Sequence, residues 1–141
     1  MRVDELMSEA KCCNEGASVR ECARLMKEEN IGFVPICNAN GEPVGAITDR
    51  DLAIRVLAEG YSADDRIDRF ATSELVTCRL GSDVNEAERL MREHRKSRVM
   101  VCDDQGKVHG VISLADIADA ESDASAGRTL SEVKSDQPTA H

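Results

Sequence analysis

Gly45-Ala46-Ile47-Thr48-Asp49-Arg50-Asp51 and Gly110-Val111-Ile112-Ser113-Leu114-Ala115-Asp116 spell one pattern twice: a glycine, two apolar residues, a hydroxyl, two variable residues and an aspartate. The copies stand 65 residues apart. At that offset residues 18–53 lie on 83–118 without a gap, and 13 of the 36 aligned pairs are identical. Val19/Val84, Leu25/Leu90 and Met26/Met91 match at helical spacing, and Gly41/Gly106, Gly45/Gly110 and Asp51/Asp116 match where turns and a site would sit. A unit this short buries too little apolar surface to stand alone. The expectation is therefore two half-domains packed about a pseudo-two-fold axis, with any site present twice and near the cleft between them.

Working outward, each copy reads as strand, helix, hairpin, helix. Ser18 and Asp83 are N-cap types, each followed three residues later by Glu21 or Glu86, which predicts a capping box. Val19, Cys22, Ala23 and Met26, and in the copy Val84, Ala87, Leu90 and Met91, recur at the helical period. The apolar runs 33–37 and 44–48 flank Asn38-Ala39-Asn40-Gly41, and 99–102 and 108–113 flank Asp103-Asp104-Gln105-Gly106, so two β-hairpins are predicted. Closing helices are expected over 50–59, stopped by Gly60, and from 114 to about 121, and short leading helices over 3–8 and 67–72. The fold class is α/β, two small β-sheets flanked by helices. Domains are expected at 1–60 and 67–121 with a linker at 61–66. Residues 122–141, rich in Ser, Ala, Asp, Thr and Gly without periodicity, read as a mobile, disordered tail.

The bulk numbers exclude several classes. Hydrophobic residues make up 41% and charged residues 32%, with no apolar run near the ~20 residues of a membrane span. The start, Met1-Arg2-Val3-Asp4-Glu5-Leu6, lacks the apolar stretch of a secretory signal, which predicts a cytoplasmic protein. A net charge of −9 and a pI near 4.8 oppose phosphate backbones and anionic lipid, so neither nucleic acid nor membrane is an expected partner. Six cysteines in such a chain read as free thiols. Cys37 and Cys102 match across the repeat and are expected to be buried strand residues. No Cys-x-x-Cys occurs and His94, His109 and His141 have no ligand spacing, so no metal site is expected.

The repeated hydroxyl and carboxylate admit two readings. Thr48 and Ser113 suit helix N-caps, with Asp51 and Asp116 at the third helical position, where the helix dipole favours negative charge. The same geometry suits a ligand. A hydroxyl and free N–H groups at a helix start can hold phosphate, and a carboxylate one turn on can accept ribose hydroxyls. Arg50, inside the first motif, can reach a phosphate, whereas the second motif has Ala115 there. The second copy instead carries Arg95, Lys96 and Arg98 where the first has Asn30, Ile31 and Phe33. That cluster reads either as a solvated helix end or as a phosphate clamp.

Two in-register copies of strand-helix-hairpin-helix, each closing on Gly, two apolar residues, Thr or Ser, two variable residues and Asp, resemble a pair of CBS domains, named for cystathionine β-synthase, the Bateman module. The resemblance covers about residues 1–120. It is especially close to small stand-alone bacterial CBS pairs in Ile31-Gly32-Phe33-Val34-Pro35-Ile36-Cys37 and Thr48-Asp49-Arg50-Asp51. It implies an adenosine-ligand sensor in which Asp51 and Asp116 bind ribose and Thr48 and Ser113 contact ribose or phosphate. Cys12 and Thr77 would lie against the base in the first strand of each copy. Phe33 and Pro35 resemble the apolar wall of the family's cleft, and their counterparts Arg98 and Met100 depart from it.

No nucleophile-base pair, P-loop or Rossmann fingerprint is present, so the leading expectation is a non-catalytic regulatory module. By the resemblance it would bind AMP, ADP, ATP, NAD or S-adenosylmethionine, with no required cofactor, and act in trans on a partner protein. The alternative is a CBS-fold stress or structural protein that has lost ligand binding. An enzyme working through Cys12 or Cys13 is the weakest reading, since neither has a neighbouring His and both fall in a predicted strand. A homodimer is expected, built from the closing helices, with Leu52, Val56 and Ile117 as candidate contacts.

Overall fold

The computed structural model describes residues 1–123. The expected tail lies outside the described residues except for Ser122 and Asp123, which complete the last helix. The chain folds as two compact units, and each unit mixes segments from both repeats. One unit contains residues 11–75. The other joins residues 1–10 to residues 76–123.

In the 11–75 unit the sheet order is β2-β3-β4, with β2 over Cys13–Asn14, β3 over Phe33–Cys37 and β4 over Pro43–Thr48. In the other unit it is β1-β7-β6-β5, with β1 over Ser8–Glu9, β5 over Thr77–Arg79, β6 over Arg98–Cys102 and β7 over Val108–Ser113. The two hairpins repeat each other in detail. Each is antiparallel, each slips register at its cysteine, Ile36/Cys37 or Val101/Cys102, and each turns through a glycine at positive φ, Gly41 at 79° and Gly106 at 83°. Side chains hold the turns: Asn38 Oδ1 accepts from the N–H groups of Asn40 and Glu42, and Asp103 Oδ1 from those of Gln105 and Lys107.

Helix α2, Val19–Glu29, buries Val19, Cys22 and Met26 against its sheet, and α4, Val84–His94, buries Val84, Ala87 and Met91. Ala23, assigned to the apolar face by its spacing, is exposed. Ser18 caps α2 by accepting from Glu21 N at 3.1 Å, and Asp83 caps α4 by accepting from Asn85 N at 2.8 Å. The reciprocal half of the expected boxes is not what Glu86 does, because its carboxylate is taken by Arg89 one turn on.

The short leading segments are exchanged between repeats. The N-terminal helix α1, Val3–Leu6, sets Val3 into the core of the unit built on the second repeat, beside Val99, Val101 and Ile112. The strand after it, β1, pairs with β7. The 3₁₀ turn Ile67–Arg69 sets Ile67 and neighbouring Phe70 into the core of the first repeat, with Val34, Ile36 and Ile47, and Thr72 bridges Ala46. The boundaries 1–60 and 67–121 thus delimit repeats in the sequence, while packing follows the exchanged units.

That exchange explains the repeated glycines. A Cβ on Gly45 would stand 3.0 Å from the Thr72 carbonyl oxygen, and one on Gly110 would stand 3.0 Å from that of Ser8 and 2.3 Å from Met7 Sδ. The absence of a side chain lets the leading segment cross the hairpin closely there without displacing its neighbours.

The closing helices differ. Helix α5, Leu114–Asp123, is α-helical. In the first repeat the α turn α3, Asp49–Asp51, widens into a π-helical stretch, Leu52–Leu57, which ends with Ala58 N–H bonded to Ala53 O at 2.9 Å. The expected helix at 50–59 is present, but not as a regular α-helix.

Candidate functional site

Paired residues across a ladder share a face of the sheet. In the first repeat Phe33 pairs with Thr48 and Pro35 with Ala46, so all four point away from Val34, Ile36 and Ile47, which form that unit's core. Cys12 lies one residue before β2, and Asn14, two residues on, is in register with Cys37, which is on the Pro35 face. In the second repeat Arg98 pairs with Ser113, Met100 with Val111, and Thr77 with Met100 in parallel, again opposite the core residues Val99, Val101 and Ile112. Each unit therefore gathers its own predicted residues on one sheet face: Cys12, Phe33, Pro35 and Thr48 in one, Thr77, Arg98 and Ser113 in the other. Cys12 corrects one detail, since it precedes the strand in which it was expected.

The hydroxyl-carboxylate pairs close the same reciprocal cap in both repeats. Thr48 N donates to Asp51 Oδ2 at 2.9 Å while Asp51 N donates to Thr48 Oγ1 at 3.1 Å. Ser113 N donates to Asp116 Oδ2 at 2.9 Å and Asp116 N to Ser113 Oγ at 3.0 Å. All four residues are half-buried. The cap uses one carboxylate oxygen of each aspartate, and no hydrogen bond reaches Oδ1 of Asp51 or of Asp116 among the described residues. Both hydroxyls accept and retain a proton to donate. The side chain of Arg50 is exposed beside the first pair, its backbone N–H bonded to Asp49. The cap and the ligand reading thus use different atoms of the same groups.

The basic cluster of the second repeat divides. Arg98 joins the sheet face with Ser113. Arg95 and Lys96 instead line a groove of about 400 Å³ between α4 and α5, floored by Met91, Leu114 and Ile117. Arg95 occupies the left-handed position that ends α4, at φ 54°. The three residues are therefore not one clamp.

None of the six cysteines is in a disulfide, and all but Cys12 are buried, Cys37 and Cys102 among them. Burial pushes the Cys78 thiol up to about 11. In the first repeat Cys37 holds the Cys12 thiol, and Cys22 the Cys13 thiol, below the ordinary cysteine value, which makes two neighbouring pairs. The repeat alignment did not reveal these pairs, because Cys12 and Cys22 align with Thr77 and Ala87. Among the described residues no three His, Cys, Asp or Glu side chains converge on a point that could hold a metal ion, and no helix is long and apolar enough to cross a membrane.

These features coincide with those of a known class. The CBS-domain family model matches residues 3–58 and 67–123, and the chain belongs to that family as a tandem pair. An uncharacterised protein of Methanopyrus kandleri is 39% identical over 102 residues, which span 72% of this chain and 52% of that relative, so the match covers about half of the relative's length. The fold resembles the CBS domain pair of MJ0100 in complex with 5′-methylthioadenosine and S-adenosyl-L-methionine, with a TM-score of 0.76 and 25% identity over 89% of this chain and 98% of that one. It also resembles the CBS domain protein PAE2072 of Pyrobaculum aerophilum complexed with AMP, with a TM-score of 0.74 and 26% identity over 82% of this chain and 89% of that one.

Proposed function

We propose that this chain is a non-catalytic regulatory module that binds an adenosine derivative and signals in trans to a partner protein in the cytoplasm. The observation that carries this reading is the twice-built pair of half-buried hydroxyl and carboxylate, the hydroxyl in each case on the sheet face that also bears the aligned base- and wall-position residues. The relatives in complex with AMP and with S-adenosyl-L-methionine support the ligand class. Asp51 Oδ1 and Asp116 Oδ1 would accept ribose hydroxyls, and Thr48 and Ser113 would donate to ribose or phosphate. Cys12 with Pro35 and Phe33 would flank the base in the first repeat, Thr77 with Arg98 in the second. The exposed Arg50 guanidinium favours phosphorylated ligands at the first motif.

The completeness of both caps favours a second reading, a CBS-fold structural or stress protein whose motifs only terminate helices. A thermal-shift panel of AMP, ADP, ATP, NAD, S-adenosylmethionine and adenosine separates the two. A ligand that binds only the native state stabilises it by about 2.7 kcal/mol at a hundredfold excess over Kd. The sensor reading expects at least one nucleotide to raise the melting temperature, and expects Arg50→Ala to weaken AMP more than adenosine by calorimetry. A flat response across the panel would leave the capping role alone.

A further inference from the structure

We propose that the groove between α4 and α5 seats Leu57 of a second copy of this chain, so that the first repeat of one copy meets the second repeat of another. Leu57 is the most exposed large apolar side chain among the described residues, at 77%, and Ile54 on the same π-helical stretch is exposed as well. Neither belongs to a core cluster. The groove has the matching character, since its volume of about 400 Å³ is bounded in the middle by Met91, Leu114, Ile117 and Ala118. A methionine in the floor lets such a recess adapt to the side chain that enters it.

Charge narrows what can enter. The groove carries opposite signs at its two ends. Leu114 N donates to Ser97 O at 2.8 Å, which joins the end of α4 to the start of α5, and Arg95 and Lys96 stand at that end. Glu88 and Glu121 stand at the other, about 10 Å away along α4 at the helical rise. Arg92, between the two ends, lies 3.8 Å from Glu88. Leu57 is flanked by Arg55 two residues before it and Glu59 two residues after it, both exposed. With Leu57 in the apolar middle, Glu59 can turn towards Arg95 and Lys96, and Arg55 towards Glu88 and Glu121. Between copies that each carry a charge of −9, these unlike pairs oppose the general repulsion and fix the direction of entry.

The repeats break their symmetry at these positions. At the offset of 65 residues Ile54 and Leu57 fall on Asp119 and Ser122, so the second repeat offers no apolar projection there. Leu114, Arg95 and Lys96 fall on Asp49, Asn30 and Ile31, and Glu88 and Glu121 on Ala23 and Val56, so the first repeat has neither the apolar lip nor the charged ends. Both repeats reach the same fold, so the fold requires neither feature. A projection on one repeat and its recess on the other define a contact between unlike surfaces, which two copies can make twice.

The test is subunit mixing read by light scattering, and it is independent of any nucleotide. Leu57→Glu puts a carboxylate on the projection and Leu114→Lys an ammonium in the recess. Both positions lie outside the core clusters, so cooperative melting of each variant is the folding control. Each variant alone should be a single chain of 15.4 kDa, because every contact it makes buries a charge against an apolar surface. Mixed one to one, the two should give twice that mass, since the mixed pair keeps one unaltered contact and sets the new carboxylate against the new ammonium in the other. Leu57→Glu mixed with Leu57→Lys should stay as single chains. Single chains in the first mixture would overturn the seating, and a dimer in the second would overturn it in favour of first repeat meeting first repeat. A dimer that survives Leu114→Lys alone would also overturn it, leaving the groove to residues 124–141 or to a different protein, and a monomeric wild type would overturn it outright.

Discussion

Asp51 and Asp116 bring the capping and ligand readings down to single oxygens, Oδ2 in each cap and Oδ1 outside it. Asparagine can still accept from the Thr48 or Ser113 N–H but loses the carboxylate charge and half of its acceptor capacity, whereas alanine loses that acceptor as well and keeps only the hydroxyl half of the cap. Asp51→Asn and Asp116→Asn are therefore expected to keep the melting temperature near the wild-type value while weakening AMP binding. Asp51→Ala and Asp116→Ala should in addition cost about 0.5–1.5 kcal/mol of stability, one hydrogen bond each. Melting curves and calorimetry on the four variants check this; full AMP affinity in both asparagine variants would reduce the motif to a cap. The residue types were legible because the motif occurs twice in register. What a capping pattern in the sequence cannot convey is which carboxylate oxygen the cap uses, since that depends on the rotamer the folded turn selects.

At the scale of elements, the hairpins and α2 and α4 were legible because turn chemistry and helical spacing are local. The exchanged leading segments were not, since a partner tens of residues away leaves no local mark except a glycine whose reason is missing. Gly45 and Gly110 supply that mark. Gly45→Ala pushes a methyl against the Thr72 carbonyl and Ala71 Cβ, neither of which can swing aside. Overpacking of this kind costs about 1–3 kcal/mol. Gly110→Ala meets Met7 Sδ first, so Met7→Ala should rescue Gly110→Ala in part. Urea unfolding of the two single variants and the Met7 double variant measures the coupling, and strict additivity would deny the contact. The π-helical Leu52–Leu57 was also beyond local reading, because its composition suits an α-helix equally well.

The second hairpin makes a prediction in pH. Asp103 is held below the ordinary carboxylate range, first by His109, whose Nε2 lies 2.7 Å from Asp103 Oδ2, and then by the N–H groups of Lys107 and Gln105. A depressed folded pKa means that the stabilisation is present above the unfolded value of about 3.9 and fades as pH falls through the folded one. His109→Ala should move the Asp103 midpoint upward in a carboxyl-carbon NMR titration, and an unmoved midpoint would assign the effect to the turn's N–H groups alone.

For the whole molecule, the charge of −9 keeps copies apart at long range, so self-association needs an apolar contact. The sequence nominated Leu52, Val56 and Ile117, and burial corrects this: Val56 and Ile117 are 4% and 2% exposed in their own cores, and Leu52 is half-buried. The apolar residues that reach solvent are their neighbours, Ile54 and Leu57 on the π-helical stretch, at 45% and 77%, and Leu114 at the start of α5, at 53%. The misassignment has a physical cause, since a spacing pattern marks apolar positions but not which of two apolar faces the fold covers. A homodimer through these helices remains the expectation. In a two-fold interface each residue meets a patch of the same surface, so one substitution is introduced twice. Leu57→Glu would place two carboxylates in one apolar contact, where desolvation and mutual repulsion both oppose association. Light scattering should give twice 15.4 kDa for the wild type and a single chain for Leu57→Glu, with the melting curve of the variant still cooperative because Leu57 contributes to neither core cluster. A wild-type monomer at micromolar concentration would refute the dimer, and a Leu57→Glu dimer split only by Leu114→Glu would move the interface from the π-helical stretch to α5.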